Sequence, residues 1–105
     1  MPDAEGHPLP EEMDFQTILK ALSDPMRYEV IATLATAEEG AKRSCASFGL
    51  PVSKSTLTYH FRVLRGSGLI KQVDLGNSRM AQLRRQDIER RFPGLLTLIV
   101  ENRAG

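Results

Sequence analysis

The segment from Val52 to Ile70, VSKSTLTYHFRVLRGSGLI, constrains this chain more than any other. Leu57, Phe61 and Leu64 recur at i, i+4 and i+7, so on a helix they share one face and need a partner to bury it. At about 100° per residue, Ser55, Tyr59 and Arg62 project from the opposite face, with Thr58 beside them. Ser53 stands where an N-cap belongs, because its hydroxyl can accept a backbone N–H left unpaired by the first turn. Gly66 and Gly68 predict the stop, since glycine tolerates the left-handed conformation that ends many helices. The helix expected is about Lys54 to Arg65. Held by its back, with hydroxyls, a phenol and a guanidinium in front, it suits insertion into a DNA major groove.

Charge is distributed to match. The net charge of +1 says nothing alone, but residues 1–52 carry a balance of −5 and residues 53–91 one of +6. The basic excess lies in the segment that holds the polar-faced helix, which points to a phosphate-binding surface; a plain solvated face is the alternative. With 105 residues, 41% of them hydrophobic, the chain has material for one core. No run of 18 apolar residues occurs, so no membrane span is expected. The acidic, proline-rich start does not read as a signal peptide, and the single Cys45 fits a reducing cytoplasm.

Residues 1–13 read as a disordered tail and residues 14–105 as the folded domain. A first helix is expected over about Asp14 to Leu22, with Phe15, Ile18, Leu19 and Leu22 on one face. Asp24 and Pro25 supply an N-cap and a first helical residue for a second helix, which turns Met26, Val30, Ile31 and Leu34 inward. A short helix follows near Ser44 to Phe48, then a turn at Gly49-Leu50-Pro51 and the polar-faced helix. Leu69 to Leu75 and Arg79 to Leu83 read as two strands joined by Gly76-Asn77-Ser78, a hairpin sequence. Helices over about Arg85 to Arg91 and Leu95 to Val100 close the chain. The layout is mainly α with a small β-hairpin: a winged helix-turn-helix domain, with the hairpin as the wing.

Two segments carry a family resemblance. Lys20-Ala-Leu-Ser-Asp-Pro-Met-Arg27, followed by Tyr28 to Ala35, resembles the opening of the ArsR/SmtB family of bacterial repressors. Ser53 to Ile70 resembles that family's recognition helix and the start of its wing. The resemblance spans roughly residues 15–100 and implies a cytoplasmic homodimeric repressor of transcription whose first and last helices form the dimer interface. The residues agree: Phe15, Ile18, Leu19 and Leu22, with Leu95, Leu98 and Ile99, give more apolar surface than one central core needs. Two-fold symmetry would then set two copies of the polar-faced helix one DNA turn apart, on a roughly palindromic operator. The metal-sensing pattern of the family is not matched. Lys42 stands where its motif cysteine would be, Cys45 has no second thiol nearby, and Asp87, Glu89 and Glu101 in the closing helices have no histidine beside them. No metal and no other cofactor is expected.

The residues expected at DNA are Lys54, Ser55, Thr56, Thr58, Tyr59 and Arg62, with Arg79 from the wing. Arg62 could read a guanine edge or clamp a phosphate, whereas the hydroxyls of Ser55 and Thr56 are better suited to phosphate. Thr56 projects sideways and could instead be partly buried. Arg27, His60, Asn77 and Ser78 are possible further contacts. For Arg27 the alternative is an ion pair with Glu29, for His60 a half-buried structural place. Arg84, Arg85, Arg90 and Arg91 read as solvated helix charge or as a broader positive surface. Cys45 reads as a small core residue, with a redox sensor as the alternative. Nothing resembles a nucleophile–base pair or a phosphate-cradling glycine loop, so no enzymatic activity is expected. Two further functions remain open: a winged helix that docks an acidic protein, and a DNA-binding sensor with a metal, redox or small-molecule effector.

Overall fold

The computed structural model describes residues 2–103, so residue 1 and residues 104–105 at the ends of the expected tail and domain lie outside it. Carboxylates start the first two helices. Asp14 accepts the Thr17 N–H at 2.9 Å and opens α1 (Phe15–Leu22). Asp24 accepts the N–H groups of Met26 and Arg27 at 2.8 and 3.2 Å and opens α2 (Pro25–Thr36), with Pro25 in the first position as expected. Strand β1 (Lys42–Ser44), a 3-10 turn (Cys45–Phe48) and α3 (Lys54–Ser67) follow. The hairpin is β2 (Ile70–Asp74) and β3 (Arg79–Leu83), and α4 (Arg85–Arg91) and α5 (Leu95–Glu101) complete the described chain. None of these helices is long and apolar enough to cross a membrane.

Helix α3 runs past its expected end. Gly66 lies inside the last turn, and Gly68 alone makes the stop, at φ 90°. A Cβ on Gly68 would stand 2.7 Å from Met13 Cγ, so glycine serves both the left-handed turn and the close approach.

Phe61 and Leu64 of α3 sink into one core with Ile18 and Ala21 of α1, Val30 and Ile31 of α2, Leu69, and Ile70 and Ala81 of the sheet. Each such large side chain contributes about 1.5–3 kcal/mol by leaving water. Helix α5 seals the far side, where the Tyr28 hydroxyl donates to the Ile99 carbonyl at 2.5 Å. This packing divides the residues expected at a dimer interface. Ile18, Leu95 and Ile99 are 0, 9 and 3% exposed and belong to the chain's own core, and Leu22 is half-buried against it. Phe15, Leu19 and Leu98 stay on the surface, at 44, 48 and 60% exposure. Spacing alone groups all seven, but α1 and α5 each have two apolar sides, and one of them faces inward.

The sheet has three strands where two were expected. Its order is β1-β3-β2, all antiparallel, with Lys42, Arg43 and Ser44 opposite Gln82, Ala81 and Met80. Strand β1 is three residues of polar sequence with no apolar alternation, and only the distant β3 makes it a strand. At the hairpin tip, Leu75 N–H donates to the Ser78 carbonyl at 2.9 Å and Gly76 N–H to the Asp74 carboxylate at 2.9 Å.

Residues 2–13 make hydrogen bonds to the sheet, to α4 and to the residue before it. His7 is buried, and its Nε2 accepts the Gln72 N–H of β2 at 3.0 Å while Nδ1 faces the Asp3 carboxylate at 2.9 Å. Arg84 donates to the Pro8 carbonyl at 2.8 Å, and Arg91 to those of Pro10 and Met13 at 2.9 and 2.5 Å. The segment has few apolar side chains to bury, which is why it reads as disordered, but its carbonyls find guanidinium donors on α4 and the residue before it. Arg85 meanwhile donates to the Leu34 and Ala35 carbonyls near the end of α2, where a cation complements the helix dipole. Arg84, Arg85 and Arg91 are thus structural clamps rather than simply solvated charge.

Asp24 gives the fold a pH-dependent element. Burial pushes its carboxyl up, but the N–H groups of Arg27 and Met26 offset this, and the net displacement is downward from the ordinary 3.8. A lowered folded value means that the stabilisation is complete above the ordinary value and is lost as pH falls through the folded one. Asp24→Ala should therefore cost about 1 kcal/mol at neutral pH, with the gap to the parent closing in strong acid. Urea unfolding of both proteins at the two pH values checks this, and a gap that persisted in acid would remove the carboxylate from the account.

Candidate nucleic-acid interface

The face of α3 opposite Phe61 and Leu64 is open to solvent. Ser53 caps the helix, its hydroxyl accepting the Thr56 N–H at 3.2 Å, so the first turn is held without a partner. Lys54, Ser55, Thr56, Thr58, Tyr59 and Arg62 are all exposed, Tyr59 by 54%. The sideways Thr56 is thus not buried; its hydroxyl accepts from Ser53 at 3.0 Å. The Thr58 hydroxyl donates to the Lys54 carbonyl at 3.0 Å, which leaves its lone pairs as the outward function.

The wing stands beside this face. Asn77, Ser78 and Arg79 line one cleft of about 350 Å³ together with Lys54, Thr58 and Arg62. The sequence separates these two groups by the whole of β2, and the fold joins them. Ser55, Thr56 and Tyr59 do not line the cleft and lie on the outer surface of the helix. Arg79 is 44% exposed, and Glu5 of the N-terminal segment comes to 4.0 Å from it.

Arg27 and His60 point elsewhere. Arg27 donates through Nε to the Ala21 carbonyl at 2.8 Å and through Nη1 to His60 Nδ1 at 3.0 Å. His60 is only 7% exposed. The pair ties α2 to α3, and His60 takes the structural place weighed for it above. Glu29, the other partner considered for Arg27, is paired with Arg103. The physical reason is the corner after Ala21, whose free carbonyl points at the Arg27 side chain.

Three residues that the sequence reading did not join form the cleft's inner wall. Arg65 donates to Gln72 Oε1 at 2.6 Å, and Gln72 Nε2 lies 3.5 Å from Cys45 Sγ. A signal for Gln72 existed: it stands two residues after the buried Ile70, so a strand turns both to the same side. The contact to Cys45 had none, because it depends on how the 3-10 turn meets the sheet. Among the described residues, no group of three or more His, Cys, Asp or Glu side chains could hold a metal ion.

No protein-family model matches the chain. The HTH-type transcriptional regulator YceK of Bacillus subtilis (strain 168) is 35% identical over 81 residues, covering 75% of this chain and 79% of that protein. Among solved structures, an ArsR-like transcriptional regulator from Rhodococcus sp. RHA1 is similar at a TM-score of 0.57 and 25% identity, covering 82% of this chain and 79% of its own. The crystal structure of an ArsR family transcriptional regulator shares the fold at a TM-score of 0.63 and 19% identity, covering 93% of this chain and 99% of its own.

Burial pushes the Cys45 thiol up from its ordinary 9.0, and the Gln72 amide and Arg79 offset only part of that. The thiolate is the reactive form, so the folded protein should react with Ellman's reagent at neutral pH roughly tenfold more slowly than the urea-unfolded chain. Equal rates in the two states would show a thiol poised for redox chemistry.

Proposed function

Because the chain belongs to the ArsR-like helix-turn-helix transcriptional regulators, we propose that it binds double-stranded DNA as a homodimer and represses transcription from a roughly palindromic operator. The observation that carries this reading is the pairing of a solvent-facing α3 surface with Arg79 of the wing around one cleft. Arg62 and Tyr59 read base edges from the major groove, while Lys54, Ser55, Thr56 and Thr58 fix the register through phosphates. Arg79, with Asn77 and Ser78 at the wing, holds the flanking backbone. The protein performs no chemistry on its target; its relatives are transcriptional regulators.

The homodimer is supported by the outer side of α1 and α5. Phe15, Leu19 and Leu98 leave large apolar side chains in water, and Phe92 extends the patch with its ring centroid 5.2 Å from that of Phe15. An exposed patch of this kind marks a contact surface. A two-fold related copy would cover it and present two α3 helices to successive major grooves.

Fluorescence anisotropy with duplexes from upstream of the protein's own gene, across a salt series and against random competitor, tests the proposal. Two protomers should bind one site, and competitor should not displace them. Arg62→Ala should lose roughly 10- to 100-fold on the operator and little on random DNA. Arg79→Ala should weaken both alike and flatten the salt slope by about one unit. Leu98→Glu should sediment as a monomer and lose the two-to-one stoichiometry. Random DNA that competes as well as the operator would point instead to a face that docks an acidic protein.

A further inference from the structure

One stripe of α3 faces the hairpin, and its composition does not match a surface meant for phosphates alone. Lys54, Leu57, Thr58, Phe61, Arg62 and Arg65 recur at spacings of three and four residues, so this side of the helix sets cations at the border of its apolar face. The cleft they form with the hairpin and the 3-10 turn is about 350 Å³, within the range of small-molecule sites. Its apolar lining is Leu57 and the half-buried Cys45, over the buried Phe61; Arg65 and Gln72 stand at its inner wall, and Lys54, Arg62 and Arg79 at its rim. No acidic residue lines it.

The cleft's cations are poorly compensated. Among the described residues no carboxylate lies within 4 Å of Lys54, Arg62 or Arg65, and Arg79 has only Glu5 at the limit of 4.0 Å. Arg65 is held by a neutral amide, and its buried Nε has no hydrogen-bond partner. A guanidinium paired with a neutral amide keeps a charge that an anion can neutralise. Low-dielectric walls beside four cations concentrate the field in the cleft. A hydrated phosphodiester would satisfy the rim but leave the apolar wall without a partner.

We propose that this cleft binds a small organic anion, an apolar body carrying a carboxylate or similar group, and that its occupation excludes DNA from α3. The second half rests on the DNA-binding reading above; the first does not. The apolar body lies against Leu57 and Cys45, and the anionic end takes the guanidinium of Arg65 with Arg62 or Arg79. Since Lys54, Thr58, Arg62 and Arg79 are shared with the DNA face, ligand and duplex compete directly, without a change of fold.

The probe is 2-naphthoate, titrated without DNA into the full-length protein labelled with ¹⁵N. Saturable shifts should centre on Cys45, Leu57 and Gln72, and the neutral analogue 2-naphthamide should bind roughly tenfold more weakly. Ala46→Trp, which fills the mouth from an exposed position without changing charge, should abolish the shifts. Arg65→Gln should weaken binding roughly tenfold. The site is overturned by an absence of saturable shifts, by shifts confined to the surface of Phe15, Leu19 and Leu98, or by equal affinity for the amide. In the anisotropy assay, saturating naphthoate should weaken DNA binding at least tenfold. A complex that forms and is not displaced overturns the exclusion, whereas no DNA complex at all overturns the function proposed above and leaves the titration to decide the site.

Discussion

The burial of Phe61 and Leu64 is the constraint on which the rest of this structure depends. Both are essentially inaccessible to water, and between them they fix the rotation of α3 about its axis and its distance from α1 and α2. A turn of α3 by one residue, about 100°, would bring Tyr59 or Arg62 into the core and strand a phenol or a charge there. The outward surface is therefore set by what is buried. The same docking sets where α3 ends. Gly68 turns the chain back over Met13, and β2 then starts at Ile70 in register to carry the wing.

The Arg27–His60 contact reinforces this arrangement from the polar side. A guanidinium held by the Ala21 carbonyl and by an imidazole Nδ1 bridges the corner of α1 and α2 to the middle of α3. Asp24 adds an electrostatic attraction from the start of α2, and a half-buried arginine can join two helices this way because its donors fan out in one plane. A similar economy governs the basic segment. Arg84, Arg85 and Arg91 serve main-chain carbonyls and Arg65 serves Gln72, so a good part of the positive balance holds the chain together. Lys54, Arg62 and Arg79 are the cations that remain turned outward around the cleft.

Much of this was legible from the residues. Period located α1, α2 and α3, and capping marked the starts of α2 and α3, where Asp24 and Ser53 each accept a backbone N–H in the structure; Asp14, read as the first residue of α1, is its cap. The hairpin was legible from Gly76-Asn77-Ser78 between two β-rich runs. Strand β1 was not, since Lys42-Arg43-Ser44 has no pattern of its own and takes strand geometry from β3. Nor was the path of residues 2–13, whose attachment uses carbonyls, a property every residue shares and no sequence pattern marks. The apolar repeats of α1 and α5 were read correctly as apolar, but not which members turn inward.

By itself, the sequence determined the order of the elements, the polar and apolar sides of α3 and the family to which the chain is similar. These follow from short-range rules: the helical period, the preference of carboxylates and hydroxyls for helix starts, and the freedom of glycine at turns. Tertiary structure decided which arginines are internal, which apolar residues of α1 and α5 stay in water, and that Cys45, Arg65 and Gln72 meet beside the wing. Those outcomes depend on contacts between residues far apart in the chain, where the same side chain can be a clamp or a solvated charge according to what the fold brings within reach.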